Sequence, residues 1–275
     1  MILPVIAYFV FLVLVILGWR SLPDKAGGPA TDPFFSVIIP VRNEEEGLSR
    51  LISDLERQVY PASRFEVIVV DDHSTDRTAD MLLERQDQLK FPLHICRLTD
   101  EGPAGESPKK AAITLGVGRA RGEYIITTDG DCRAGTHWLD AYARAYHTHS
   151  AELIAGPVML IDDRSFFGRM QGIEFASLIG TGGALLSMGW PAMCNGANLS
   201  YRRSAFEATG GYLQNRHVAS GDDLFLLESI HKRSPGKVYF LSDPESLILT
   251  RPAEDYRTFI HQRIRWAGKW NRSER

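Results

Sequence analysis

A chain of 275 residues, 44% of them hydrophobic, is long enough to bury a substantial core, as one large α/β domain or as two smaller ones. Its 31 Lys and Arg against 34 Asp and Glu leave a formal charge of −3, which excludes a strongly basic nucleic-acid binder, and 24% charged with 10% aromatic residues excludes a mostly disordered chain. The cysteines Cys96, Cys132 and Cys194 are too sparse for a disulfide framework and suit a reducing compartment.

Met1 to Trp19 contains no Asp, Glu, Lys or Arg. As helix, a segment of this length rises about 28 Å, close to the roughly 30 Å hydrocarbon core of a bilayer. No basic residue precedes the apolar run, and it ends on Trp19 and Arg20, an interfacial aromatic with a cation. An uncleaved transmembrane anchor over residues 1–20 is therefore expected rather than a signal peptide. Arg20 and Lys25 behind it place the rest of the chain in the cytoplasm by the positive-inside bias. The alternative, a buried core helix, requires a partner surface that a β-branched run starting at Met1 is poorly suited to find. Residues 21–33, rich in Pro and Gly, read as a linker, and residues 34–275 as one globular domain.

Phe35 to Pro40 is a short, β-branched strand, followed by an acidic helix start at Asn43-Glu44-Glu45-Glu46 and by Leu48, Leu51, Ile52 and Leu55 at helical spacing. Phe65 to Val70 is a second buried strand, closed by Asp71-Asp72-His73-Ser74-Thr75-Asp76, where Ser74, Thr75 or Asp76 can cap a helix carrying Ala79, Leu82 and Leu83. Pro92 to Leu98 offers a third strand. A helix from about Lys109 to Ala120 precedes a fourth, Glu123 to Thr128, which runs into Asp129-Gly130-Asp131. Strands alternating with helices predict an α/β fold, a mostly parallel Rossmann-like sheet with helices on both faces. Ligands bind such sheets at the carboxyl ends of the strands, where a right-handed connection brings both acidic clusters to one edge.

Asp129-Gly130-Asp131 carries the most chemical information. Two carboxylates one Gly apart can hold Mg²⁺ or Mn²⁺, which takes one or two protein carboxylates together with phosphate oxygens. Asp and Gly are also ordinary turn formers; the second strand-end cluster favours the functional reading. Of Asp71 and Asp72 only one can cap, which leaves the other to accept hydrogen bonds from a nucleobase or ribose. Asp222 and Asp223 open an apolar helical stretch, and a helix start explains one of them better than both. A carboxylate here can serve as general base. On a helix beginning near Tyr256, Gln262, Arg265, Trp266 and Lys269 share a face, so a cation and an indole can meet an anionic, sugar-like ligand; the same helix also suits a membrane surface. Phe166 to Pro191 is apolar but carries glycines that argue against a spanning helix. Phe166, Phe167, Met170 and Ile173 can line a helix against the membrane or pack in the core.

Six segments in order now resemble the family-2 glycosyltransferases, in particular the membrane-bound inverting branch that includes cellulose, chitin and hyaluronan synthases. They are Val37-Ile38-Ile39-Pro40-Val41-Arg42-Asn43-Glu44, Val69-Val70-Asp71-Asp72, Asp129-Gly130-Asp131, Gly196-Ala197-Asn198-Leu199-Ser200-Tyr201-Arg202, Gly221-Asp222-Asp223 and Gln262-x-x-Arg265-Trp266. The resemblance covers about residues 35–266 and implies a GT-A fold. It also implies that Pro40, Arg42, Glu44, Asp72, Lys109, Asp129, Gln262, Arg265 and Trp266 bind substrate, that Asp131 ligates the metal, and that Asp223 is the base. The family's Glu-Asp reads Asp222-Asp223 here and its Gly before the lysine is Pro108, so Asp222 against Asp223 and Lys109 against Lys110 stay open.

The implied function is inverting transfer of a sugar from a cytoplasmic nucleotide-sugar, a UDP-sugar being the expected donor, to a hydroxyl of a lipid or glycan acceptor at the membrane, with Mg²⁺ or Mn²⁺ as cofactor. A sugar nucleotidyltransferase would place a Gly-rich loop after the first strand, where Val41-Arg42-Asn43-Glu44 stands instead. A catalytically silent assembly subunit would have little reason to keep Asp131, Asp223 and Gln262-x-x-Arg265-Trp266 together. The chain ends at Arg275, where similar membrane enzymes continue into further helices, so the resemblance also raises a truncated form.

Overall fold

The computed structural model describes residues 2–22, 32–98, 107–218 and 221–270. Most of the expected linker, Lys25 and Ser220 lie outside the described residues, and the side chains of Lys269 and Trp270 are not described. In chain order the first half runs α1 (Ile2–Arg20), β1 (Phe35–Val41), α2 (Glu45–Glu56), β2 (Phe65–Asp71), α3 (Thr78–Gln86), β3 (Leu93–Arg97), α4 (Pro108–Arg119), β4 (Tyr124–Thr127), β5 (Arg133–Ala134) and α5 (Trp138–Thr148). The second half runs β6 (Leu153–Ala155), β7 (Val158–Leu160), α6 (Phe166–Ser187), β8 (Leu199–Arg202), α7 (Arg203–Ala208), α8 (Asp222–Arg233), β9 (Val238–Phe240), β10 (Ile248–Thr250) and α9 (Tyr256–Trp270).

The expected strands form the core of a seven-stranded sheet in the order β3-β2-β1-β4-β8-β6-β9. β3, β2, β1 and β4 are parallel neighbours, and β8 runs antiparallel to both β4 and β6. Alternation along β1 explains why both faces are covered. Val37 and Ile39 join one apolar cluster with Leu48, Leu51, Trp138 and Tyr142, whereas Ile38 joins the other with Ile113, Val117 and Leu227. A second sheet, in the order β5-β10-β7, has strands of only two or three residues.

Two local expectations change, and a third holds. No side chain caps α3: its N-cap is Arg77, and Asp76 instead accepts from the Thr78 amide at 3.0 Å. Ser74 is used elsewhere, accepting from the Asn43 amide at 2.9 Å and so tying the loop after β1 to the loop after β2. The glycines of the 166–191 segment argued against a spanning helix, and among the described residues no span candidate lies there. Residues 166–187 form a single 22-residue helix, and Gly182 and Gly183 are buried where Met193 and the Phe240 ring press close.

Among the described residues α1 alone is long and apolar enough to cross a membrane. It is exposed along nearly its whole length and buried only at Gly18. Gly18 lies so close to α6 that a Cβ there would stand 2.5 Å from the Ala184 carbonyl oxygen. The Ser187 hydroxyl donates to the Gly18 carbonyl at 2.7 Å, and the Trp19 and Phe240 rings pack at 6.0 Å.

Candidate active site

β1, β2 and β4 end together. Val41 pairs with Asp71, the Asp72 amide donates to the Val41 carbonyl at 2.8 Å, and the Thr128 amide donates to the Ile38 carbonyl at 3.2 Å. Both acidic clusters therefore sit on one sheet edge, as parallel register requires. Beyond β1 the chain turns sharply: Asn43 takes the left-handed φ of 56°, and its side chain accepts from the Thr75 amide at 2.7 Å. That turn lays Glu44 over Gly130.

Three carboxylates are thereby crowded. Burial first, then Asp131, Asp129 and Asp76, push the Glu44 carboxyl up to about 7. Burial and the Asp129 charge likewise raise Asp131 above the ordinary carboxylate range. The Asp131 carboxylate accepts from the Thr250 hydroxyl at 2.9 Å, which fixes its orientation from β10. An anionic oxygen set with this excess of negative charge fits a hard divalent cation. Among the described residues His137, Asp140 and Glu245 also bring ligand atoms within 4.8 Å of one another, but Arg144 pairs with both acids there.

Lys109 stands between the strand-end cluster and α8, with Nζ 2.5 Å from Asp129 Oδ1 and 3.8 Å from Asp222 Oδ2. Burial opposes its charge, yet Asp129 and then Asp222 hold the ammonium above its usual range. Lys110 faces the other way, buried, donating to the Asn215 carbonyl at 2.8 Å beside the Phe225 ring. Gly221, at φ 87°, turns the chain into α8, and both aspartates that follow are buried. Asp223 Oδ1 accepts from the Leu224 amide at 2.8 Å.

These groups line one cavity of about 720 Å³ together with Pro40, Arg42, Gln262, Arg265 and Trp266. Of the sequence-predicted residues Asp72 alone is not on its wall. Its carboxylate lies 3.6 Å from Arg42 Nη1 and 3.0 Å from His73 Nδ1, so it reaches the cavity through Arg42. Thr250, Glu174 and Arg263 also line the cavity and were not anticipated. Arg263 donates to Glu174 at 2.8 Å and stacks over the Trp266 ring at 4.3 Å. A lone acid in the apolar 166–187 segment was the available signal for that pair; for Thr250 there was none.

The Glycosyl transferase family 2 model matches residues 36–210, well over half of the chain. The chain belongs to glycosyl transferase family 2. Glycosyltransferase AglE of Haloferax volcanii is 25% identical over 236 residues, 86% of this chain and 72% of that protein. A beta-monoglucosyldiacylglycerol synthase of Nostoc sp. is 25% identical over 241 residues, covering 86% of this chain and 48% of the synthase, so this chain spans about half the length of that relative. Among solved structures, the mannosyltransferase PcManGT from Pyrobaculum calidifontis in complex with GDP-Man and Mn²⁺ superposes with a TM-score of 0.68 at 20% identity, over 97% of this chain and 74% of that one. The α/β sheet with helices on both faces is thus the fold of this family's nucleotide-sugar enzymes.

Proposed function

We propose that the chain transfers a sugar from a cytoplasmic nucleotide-sugar, a UDP-sugar, to a hydroxyl acceptor at the membrane, with inversion at the anomeric carbon. One observation carries the reading: strand-end carboxylates, a lysine, a helix-borne arginine and the buried pair Asp222 and Asp223 face a single cavity in a family-2 fold. Asp131 would hold Mg²⁺ or Mn²⁺, with Asp129 and Glu44 beside it. The ion would neutralise charge on the departing diphosphate. Lys109 and Arg265 add positive charge on the same side, and Asp72 with Arg42 and Pro40 meets the nucleoside end. Asp222 is engaged by Lys109 at 3.8 Å, and Asp223, on the wall of the same cavity, takes the proton from the incoming hydroxyl. Inversion needs no covalent carboxylate intermediate, unlike a retaining mechanism. Gln262 and Trp266 border the acceptor. In this reading residues 1–20 are the anchor, 21–33 the linker and 34–275 the catalytic domain, held in the cytoplasm.

Asp223→Asn is expected to lower transfer by at least about a thousandfold while nucleotide-sugar affinity stays within a few-fold. Nucleoside diphosphate release and calorimetric donor titration measure the two. Full activity in the variant removes Asp223 from the reaction.

A further inference from the structure

The cavity has two walls of opposite chemistry. One presents the carboxylates and cations of the donor side. The other is mostly hydrocarbon, with Phe175, Leu178 and Ile179 on α6, Met193 after it and Trp266 on α9, while Gln171 on α6 is held by the Ala253 backbone. Phe175 and Trp266 close one flank with ring centroids 5.8 Å apart. Glu174 and Arg263 also border this side but bond to each other at 2.8 Å, so the pair satisfies itself.

A glycan can stack one ring on Trp266 but is a poor fit to the aliphatic stretch of Leu178, Ile179 and Met193. It carries a hydroxyl on most carbons, and each one taken out of water without a partner costs about 1–3 kcal/mol. A hydrocarbon chain loses nothing there and gains roughly 0.8 kcal/mol per buried methylene. The position of the wall points the same way. α6 carries it on one side and the membrane-spanning candidate α1 on another, through Gly18 and Ala184. Large apolar side chains also stand on the outside of α6 and α9: Phe166 is 89% exposed, Ile173 76% and Ile264 64%. The helices that line the cavity thus also present exposed apolar side chains that a bilayer can cover.

Resting on the transferase reading above, we infer that the acceptor is an amphiphile drawn from the bilayer, a hydroxyl head on a hydrocarbon chain, with the chain lying along Phe175, Leu178, Ile179, Met193 and Trp266. The hydroxyl oxygen forms the bond to the anomeric carbon. The bond from that carbon to the diphosphate oxygen breaks with its electron pair leaving on the nucleoside diphosphate, and the hydroxyl proton passes to Asp223.

The test uses the full chain in detergent with UDP-glucose, UDP-N-acetylglucosamine and GDP-mannose as donors and 1-alkanols from ethanol to octanol as acceptor probes. The acceptor KM is expected to fall by up to about fourfold per added methylene, and maltotetraose is expected to be a worse acceptor than octanol. Leu178→Asp should erase the chain-length trend and Leu178→Met should keep it. A KM independent of chain length, or preference for maltotetraose, overturns the inference while leaving the transferase reading intact. Failure to release nucleoside diphosphate from any donor, even to water, counts against the transferase reading instead. A second readout needs no turnover: a diazirine-bearing fatty alcohol should crosslink to the α6 peptide holding Phe175 to Ile179, and labelling confined to other peptides overturns the inference.

Discussion

Glu44 owes its chemistry to the turn that places it. With Asn43 at φ 56°, the carboxyl lies against Asp131 and Asp129 and is pushed up to about 7 from an ordinary value of 4.5. Between those two values the folded chain keeps a proton that the unfolded chain has lost. Its contribution is therefore present at low pH and is lost as pH rises through about 7. A displacement of that size is worth about 3 kcal/mol when fully felt, and the half-hydrated side chain reduces it to about 1 kcal/mol. Without metal, thermal stability should decline from pH 5 to 8, and Glu44→Gln should flatten that slope; an unchanged slope would show that other groups set it. Mn²⁺ competes with the same proton, so it should raise the melting temperature more at pH 8 than at pH 6. Thr250 acts on the neighbouring carboxylate. Thr250→Val removes its 2.9 Å hydrogen bond to Asp131 and is expected to weaken Mn²⁺ binding by about tenfold, with Thr250→Ser restoring it. Calorimetry on donor-free protein reads this directly, and equal affinity in wild type and valine variant would deny Thr250 the role. The carboxylates were legible in the sequence because Glu44 follows β1, and Asp129 and Asp131 follow β4, within four residues. Thr250 was not, because 119 positions separate it from Asp131 and only the small sheet brings them together.

Helix α6 shows where local propensity loses to packing. Each interior glycine disfavours helix by about 1 kcal/mol relative to alanine, and on that ground the 166–191 segment reads as no comfortable spanning helix. In the fold Gly182 and Gly183 let Met193 and Phe240 approach, and close packing outweighs propensity. Gly18 is the matching position on α1. Its substitution meets a backbone oxygen at 2.5 Å, which cannot rotate away as a side chain would. Gly18→Leu should therefore lift α1 off α6 while leaving the seven-stranded sheet intact. The Ser21 and Ser187 hydroxyls lie 3.2 Å apart and report on the contact. With Cys96, Cys132 and Cys194 replaced by serine or alanine, Ser21→Cys with Ser187→Cys should crosslink on mild oxidation, and adding Gly18→Leu should abolish the crosslink. Undiminished crosslinking would mean that the two helices tolerate the side chain.

Across the whole molecule, the parallel half of the sheet was readable because β-branched runs, helix stripes and strand-end aspartates repeat locally. The antiparallel strand β8 and the three-stranded sheet were not, since strands of two to four residues leave no periodicity to detect. Much of the apolar surface was legible, α1 by composition and Phe166 and Ile173 by helical spacing, whereas the contact of Gly18 with Ala184 and Ser187 on α6 emerges only when the helices are placed side by side. Burying Phe166, Ile173 and Ile264 in an interface is worth about 1.5–3 kcal/mol each, enough together to hold the domain on a bilayer without α1. A chain lacking residues 2–20 should accordingly still float with phosphatidylglycerol-containing vesicles, and replacing Phe166, Ile173 and Ile264 by serine in that shortened chain should release it. Donor-induced thermal stabilisation, which depends on the opposite wall of the cavity, should survive both changes. Flotation that disappears on removing residues 2–20 alone would assign all membrane attachment to α1, and would leave the apolar edges of α6 and α9 without that role.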